Sequence, residues 1–274
     1  MSDLSCIFRD PNELTLATLQ QNDWETDFFG RLMGGLQVET RAALLLPNAD
    51  WQATTQAISR SADERSFAMV QCHLDVRALP LVPALEDVGF RLVDTRITFV
   101  TRMDRRDIPR FEPPFGELDH AREEDLPALI ALTHQGLTHN PRFFSRYKER
   151  AWFTEKDGER WFAAWIENLL TDTDSLFGIW RVDGEAVGYF LYLRKEDLEG
   201  LPFYKGMLAT VNPAVQGHKA HLFLQSWLYD QMPSDEFWLD NTTQLTNIPI
   251  LRNHVISKKR LEHIDLTFFR KGRS

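Results

Sequence analysis

The sequence predicts a mixed α/β fold, and two observations lead to this prediction. Segments in which apolar and polar residues alternate, as in β-strands, are interspersed along the chain with segments whose apolar residues have helical spacing. Near the middle, residues 177–182 and 186–193 are predicted as two strands, and Asp183-Gly184 between them is typical of a hairpin turn.

The elements follow from local patterns, taken in chain order. The apolar segment 67–74 predicts a strand, and residues 79–88 have a helical spacing that ends at Gly89. Acidic residues at 123–125 open a helix to about His134, because carboxylates stabilise a first helical turn. The other predicted elements are strands at 90–100, 177–182, 186–193, 207–211, 237–240 and 264–269, helices at 160–170, 217–232 and 246–255, and a long loop at 138–157.

Composition excludes several classes of protein. The formal net charge is -9, so no broad basic face is available for nucleic acid, and we interpret the basic clusters 102–106 and 258–260 as solvated turns. The sequence contains no run of about 18 apolar residues, so it predicts no membrane span. Cys6 and Cys72 lie far apart and lack metal-ligand spacing. We therefore expect a cytoplasmic protein that binds neither nucleic acid nor membrane and holds no metal.

A change in composition divides the chain. Residues 108–116 contain Pro109, Pro113 and Pro114 without any periodicity, and 109–116 is the best linker candidate. We predict a partial domain over residues 1–108 and a complete domain over residues 117–274.

The segment that follows the predicted strand 207–211 is the strongest functional signal. Asn212-Pro213 makes a turn, and a helix is expected to begin near Gly217. A strand that breaks into a helix leaves several backbone N–H groups without intrahelical partners, with the positive end of the helix dipole behind them. Such a helix start favours a phosphate or pyrophosphate group.

The pattern V-x-P-x-x-Q-G-x-x-A over residues 211–220 resembles the acetyl-CoA pyrophosphate loop of the GNAT acetyltransferases. The family pattern is Q/R-x-x-G-x-G/A; Gln216 matches its first position, whereas Lys219 and His221 replace the glycine and the small residue. A lysine can still contact phosphate as a point charge.

This resemblance implies an α/β (α+β) GNAT fold, in which helices flank a mixed, mostly antiparallel central sheet, here preceded by a partial GNAT-like half. It also implies acetyl-CoA or another acyl-CoA as co-substrate, and residues 208–211 would face the thioester carbonyl if their strand bulges there. The binding residues it implies are Leu208, Thr210, Val211, Gln216, Gly217, His218, Lys219 and Ala220.

The segment from Asn247 resembles the family's fourth-helix pattern N-x-x-A-x-x-x-Y, in which the tyrosine protonates the coenzyme A thiolate. Asn247 suits an N-cap, and Pro249 suits a first helical turn. His254 stands in the tyrosine's place and titrates in a range that suits proton donation, although it is equally an ordinary helical histidine. The general base is left open between Glu167, acting through water, and a loop histidine.

Three further segments resemble one group of GNAT enzymes, the dTDP-fucosamine acetyltransferases, which N-acetylate a dTDP-linked amino-deoxy sugar. Residues 19–30 resemble its opening L-x-W-D/E-x-x-F-F-G, residues 160–168 its helix R-F-Y-x-x-W-I-E-N, and residues 85–93 its L-x-x-L-G-F-x-L-V. Taken singly, these aromatic residues also suit ordinary core packing.

The loop 139–147 is the candidate acceptor site. Arg142 and Arg146 are expected to hold a nucleotide diphosphate, because guanidinium groups bind phosphate in a bidentate manner. Phe143 or Tyr147 would stack on the base. A solvated basic loop is the alternative.

We therefore predict an acyl-CoA-dependent N-acyltransferase, by resemblance an N-acetyltransferase, that acts on a dTDP- or UDP-amino sugar by direct attack of the amine on the thioester. A homodimer is left open. One alternative is a GNAT enzyme for another small amine. The other is a catalytically degenerate acyl-CoA-binding or scaffolding protein, which the substitutions at Lys219 and His221 favour.

Overall fold

The computed structural model describes residues 5–10, 14–40, 51–141, 143, 145–149 and 151–272. In these residues the strands are β1 (Cys6–Arg9), β2 (Thr15–Gln21), β3 (Met33–Val38), β4 (Met69–Asp75), β5 (Arg91–Asp104), β6 (Glu117–His120), β7 (Ser175–Val182), β8 (Glu185–Leu198), β9 (Leu201–Val211), β10 (Glu236–Gln244) and β11 (Leu261–Lys271). The helices are α1 (Asp23–Phe29), α2 (Trp51–Glu64), α3 (Val82–Asp87), α4 (Leu126–Thr133), α5 (Glu155–Thr171), α6 (Ala220–Gln231) and α7 (Ile248–Ile256).

Helix ends differ from the predicted ones for local reasons. The helix predicted at 160–170 runs Glu155–Thr171, because Thr154 and Asp157 form a capping box. In this box the Thr154 side chain accepts a hydrogen bond from the Asp157 N–H at 3.2 Å, and the Asp157 carboxylate accepts one from the Thr154 N–H at 2.8 Å.

The described chain forms two compact units, Met1–Arg96 with His263–Ser274, and Ile97–Glu262. These boundaries fall inside β5 and β11, and the predicted linker 109–116 lies within the second unit. The division into domains 1–108 and 117–274 stays a prediction.

The first unit contains the strand order β1-β2-β3-β4-β11. Strands β3 and β4 are parallel and are connected through α2, whereas the other neighbouring pairs are antiparallel. Ile58 and Ala62 of α2 pack on the sheet, together with Leu85 of α3.

The second unit contains the strand order β5-β10-β9-β8-β7-β6. Strands β9 and β10 are parallel and are connected through α6, whereas β6 to β9 pair antiparallel in sequence. Alternate residues of β8 enter two separate cores, as the pleat of a strand requires. Tyr189 and Leu191 pack with α4 and α5, and Phe190 and Tyr192 pack with α6.

None of the helices in the described ranges has both the length and the apolar character that a membrane span needs.

Candidate functional site

The parallel strands β9 and β10 separate part-way along their length. Their paired positions end with Asn241 opposite Gly206, although β9 continues to Val211 and β10 to Gln244. Beyond this point the described residues of β9 have no partner in β10. The second unit therefore has a gap between two parallel strands.

A bulge in β9 lies next to this gap. The partner positions of β8 and β9 pass from Leu191 opposite Leu208 to Tyr192 opposite Gly206, so Met207 is an extra residue. The predicted role of residues 208–211 at the thioester depends on a bulge in this strand, and the observed bulge immediately precedes them. In an antiparallel pair only alternate residues direct their N–H groups at the partner strand, so the other N–H groups of residues 208–211 face the side that β10 has left.

The predicted anion loop presents a run of backbone N–H groups. Among the described residues, none accepts a hydrogen bond from the N–H groups of residues 217–221. The N–H groups of Leu222 and Phe223 both donate to the Lys219 carbonyl, at 2.8 and 3.3 Å. Backbone amides without partners at the N-terminus of a helix favour an anion, and the anion site at residues 216–220 stays a prediction.

The helix after this loop begins at Ala220 rather than near Gly217. The Asn212 side chain accepts a hydrogen bond from the Ala214 N–H at 2.9 Å and starts a 3₁₀ turn at Pro213–Val215. Gly217 and Lys219 then have φ angles of 93° and 60°. Lys219 therefore adopts a left-handed conformation, which is strained for a residue with a side chain but not for glycine. The GNAT pattern has glycine at this position.

A pocket of about 290 Å³ opens at this loop. The side chain of Glu112 lines it, and it is the one described acidic residue of the lining. His218 packs its ring on Phe115, with 5.2 Å between the ring centroids. The pocket is lined by Phe111, Glu112, Pro114, Gly217, His218, Lys219 and Phe223.

His254 is buried, with 2% of its surface exposed, and its ring lies 5.4 Å from the ring of His221, which is also buried. Each Nδ1 atom is buried and has no hydrogen-bond partner among the described residues. Burial lowers the pKa of both histidines well below the ordinary value. Both rings are uncharged at neutral pH, so His254 lacks the proton that the predicted acid would donate.

A buried polar cluster adjoins these histidines, and no sequence pattern predicts it. Lys259 is 7% exposed, and its Nζ donates to Gln225 Oε1 at 3.2 Å and to Asn241 Oδ1. Gln225 Nε2 donates to the Tyr192 hydroxyl at 2.8 Å. The expectation that residues 258–260 form a solvated turn is wrong for Lys259, because its side chain points into the core. Its exposed neighbour Lys258 looks the same in sequence.

The other two predicted catalytic residues lie apart from this cluster. Asn247 is the N-cap residue of α7, but its side chain makes no capping hydrogen bond. Glu167 is exposed on α5, where its backbone carbonyl accepts from Thr171 Oγ1 at 3.1 Å. No contact between described residues joins Glu167 to the other predicted site residues.

The candidate acceptor loop is packed more than expected. Tyr147 is 4% exposed and stacks on Trp161 with 4.0 Å between ring centroids. Arg146 lies over the Tyr147 ring and donates to its hydroxyl at 2.8 Å, and the Phe143 carbonyl accepts from Lys148 Nζ at 2.8 Å. Arg142 lies outside the described residues. The stacking surface predicted for a base is thus occupied, at least on one face of Tyr147, by a tryptophan.

The segments that resemble sugar acetyltransferases have mixed surroundings. Trp161 and Phe162 of α5 are buried, as ordinary core packing requires. Trp24 of α1 is instead 41% exposed and stacks on Phe28 with 5.4 Å between ring centroids.

A π-helical turn at His134–Thr138 adjoins β9. A Cβ added to Gly136 would lie 1.7 Å from Thr210 Oγ1, so only glycine fits between this turn and the predicted binding residue Thr210. After the turn, His139 and Glu159 form an exposed pair at 2.7 Å, and ligand-type atoms of His139, Glu155 and Glu159 lie within 4.8 Å of one another.

No family model matches the sequence, and no curated protein matches it. Solved structures do match the fold. A GCN5-related N-acetyltransferase from Sphaerobacter thermophilus has a TM-score of 0.56 at 14% identity, with 98% of this chain and 82% of that chain covered. Another from Kribbella flavida has a TM-score of 0.56 at 11% identity, covering 94% and 87%.

A tandem GNAT protein from the clavulanic acid biosynthesis pathway also matches, with a TM-score of 0.53 at 10% identity, covering 98% of this chain and 83% of that chain. At such low identity the likeness shows the fold alone. The chain has the fold of the GCN5-related N-acetyltransferases, and the predicted α/β fold with a mostly antiparallel sheet is confirmed.

Proposed function

We propose that the protein transfers an acyl group, by resemblance acetyl, from coenzyme A to the nitrogen of an amine. The observation that carries this proposal is the free amide run at residues 217–221, directly after a strand that has separated from its parallel neighbour. Free backbone amides can bind a pyrophosphate, and an unpaired strand edge can hydrogen-bond an extended pantetheine arm.

The residues present fit an acyl-CoA. The free amides and Lys219 would hold the pyrophosphate beside the pocket, and N–H groups of residues 208–211 that face the gap would hold the arm and polarise the thioester carbonyl. Glu112 is an unfavourable neighbour for a phosphate, and Lys219 offsets its charge.

A thioester supplies an acyl group that is already activated, so positioning of the amine is the main task of the protein. The amine attacks the thioester carbon directly; a C–N bond forms, the C–S bond breaks, and one proton passes from nitrogen to sulfur overall. Because His254 and His221 are uncharged, we assign them hydrogen-bonding roles and not that of a charged acid.

For the acceptor we propose a nucleotide-linked amino sugar, dTDP- or UDP-linked. This part rests on the sequence motifs of α1 and α5 and on the basic loop, of which Arg146 is described. Cys6 and Cys72 are free thiols, which suits the cytoplasm that we propose as its compartment.

A second function, acyl-CoA binding without turnover, is favoured by one observation. The only candidate acid that the family pattern offers, His254, is buried and uncharged. An acyl-CoA-binding protein and an acyltransferase would use the same binding site, but only the acyltransferase would transfer the acyl group.

Two measurements test these functions in order. Calorimetric titration with acetyl-CoA should show saturable binding, and absence of binding at millimolar ligand would remove both functions. A thiol-release assay over dTDP- and UDP-amino sugars, with simple amines alongside, should then show turnover with the nucleotide sugars. Binding without thiol release from any amine would favour the non-catalytic protein, and release only with simple amines would refute the proposed acceptor.

A further inference from the structure

Lys259 links three elements of the second unit. Its backbone N–H donates to the carbonyl of His254 in α7 at 3.0 Å. Its Nζ donates to Gln225 of α6 at 3.2 Å and to Asn241 of β10. These contacts fix a long and otherwise flexible side chain in the core.

The surroundings of Lys259 match an uncharged amine. Both described partners of Nζ are amide oxygens, and a neutral amine has two N–H groups to give them, whereas an ammonium group would have a third. The described titratable groups of the cluster around it are His221 of α6, His254 of α7, and the Tyr192 and Tyr229 hydroxyls that Gln225 connects to it, and none of these is a carboxylate. A buried cation without a counter-ion is costly, and burial lowers the pKa of Lys259 well below its ordinary value.

Asn241 is the residue that Lys259 holds. It is 3% exposed and occupies the last position at which β10 pairs with β9. A Cβ added to its partner Gly206 would lie 2.1 Å from Asn241 Nδ2, so the amide lies over the bare backbone of β9. Its Oδ1 accepts from Lys259 and, at 3.4 Å, from the Tyr192 hydroxyl.

We propose that Lys259 is a positioning residue that holds the Asn241 amide across Gly206 and so fixes where β9 and β10 separate. It acts through Asn241 and does not contact the reacting atoms. This inference rests on the proposed function, because the gap that it fixes is the one that would admit the pantetheine arm.

The ligand test compares Lys259→Met with Lys258→Met, a matched change at the exposed neighbouring lysine. The probes are acetyl-CoA and 3′-phospho-ADP, which carries the pyrophosphate but has no pantetheine arm. Lys259→Met should weaken acetyl-CoA binding about tenfold, as the loss of one or two buried hydrogen bonds implies, and should leave 3′-phospho-ADP binding within about twofold. Lys258→Met should change neither.

A second variant keeps the proposal testable if Lys259→Met does not fold. Gly206→Ala leaves Lys259 in place and displaces Asn241, and it should reproduce the selective loss of acetyl-CoA binding. Unchanged acetyl-CoA binding in either variant would overturn the proposal, and so would an equal loss of both ligands. A wild-type protein that binds 3′-phospho-ADP but no acetyl-CoA would overturn the proposed function and this role together.

The charge of Lys259 has its own readout, which needs no ligand. An uncharged lysine takes up one proton when the chain unfolds at pH 7 to 9, because the unfolded side chain has its ordinary pKa. Over this range the unfolding equilibrium constant of the wild type should fall tenfold more per pH unit than that of Lys259→Met. Equal pH dependence in the two proteins would show that Lys259 is charged and would overturn its assignment as an uncharged amine. The role of Lys259 in separating β9 from β10 is tested independently by the ligand-binding comparison.

Discussion

Variants of Lys219, the exposed lysine at the start of α6, can separate two contributions to anion binding: the charge of the side chain and the conformation of the backbone. Lys219 has a φ of 60°, which costs a side-chain-bearing residue about 1 kcal/mol relative to glycine. Lys219→Gly removes both the strain and the charge, whereas Lys219→Met removes the charge and keeps the strain. The entropy of glycine in the unfolded chain offsets most of the gain, so the free energy of unfolding should change by less than about 0.5 kcal/mol in either variant.

Binding of acetyl-CoA should respond more than stability. Loss of one exposed cation next to a pyrophosphate should weaken binding about fivefold at low salt in Lys219→Met, and this loss should shrink at 0.15 M salt, where charges are screened beyond about 8 Å. Lys219→Gly should bind more tightly than Lys219→Met, because its backbone is free to approach the phosphate. Calorimetry at two salt concentrations measures this. Wild-type affinity in Lys219→Met at low salt would refute a contact between Lys219 and the anion.

Three further predictions concern the same unit. His221 and His254 have pKa values lowered by burial, so their contribution to stability is present above pH 6.5 and is lost as the pH falls below it; denaturant titrations should show a loss of about 3 kcal/mol by pH 5.5 that is absent from a double glutamine variant. Gly136→Ala should destabilise the protein by about 1–3 kcal/mol, since its Cβ would meet Thr210 Oγ1, and Thr210→Ala in the same chain should restore most of this, whereas additive losses would contradict the contact. Treatment with a chelator should leave turnover unchanged, because no step of direct acyl transfer needs a metal; a loss that zinc restores would direct attention to His139, Glu155 and Glu159.

The parts of this structure that follow from local pattern could be predicted from the sequence. Asp183-Gly184 joins β7 and β8 as predicted, and the order of strand, turn and helix around Gly217 is present. The sequence pattern predicts a start of α6 that is too early, because the left-handed conformation of Lys219 is unusual for a lysine and nothing in the sequence marks it.

The buried cluster could not be predicted, because its members are far apart in sequence. Lys259 and Lys258 are adjacent and identical in type, and only the packing of α6 and β10 decides that one is buried and the other exposed. The ordinary titration range of histidine suits His254 to proton donation, yet burial lowers the pKa of His254 well below neutral pH. Roles that depend on tertiary surroundings are therefore the ones that a motif leaves undecided.

The two units offer an internal comparison of the feature on which the proposed function depends. Each has a parallel strand pair connected through a helix, β3 with β4 through α2 and β9 with β10 through α6. In the first unit the pairing continues through five positions to Gln37 opposite His73, one residue before β3 ends, and the ring of Phe67 lies 3.0 Å from where a Cβ of Gly34 would be. The described residues there leave no separated strand edge. Because the proposed acyl-CoA arm needs such an edge, the second unit alone among the described strand pairs meets the requirement, and we predict a binding stoichiometry of one acyl donor per chain.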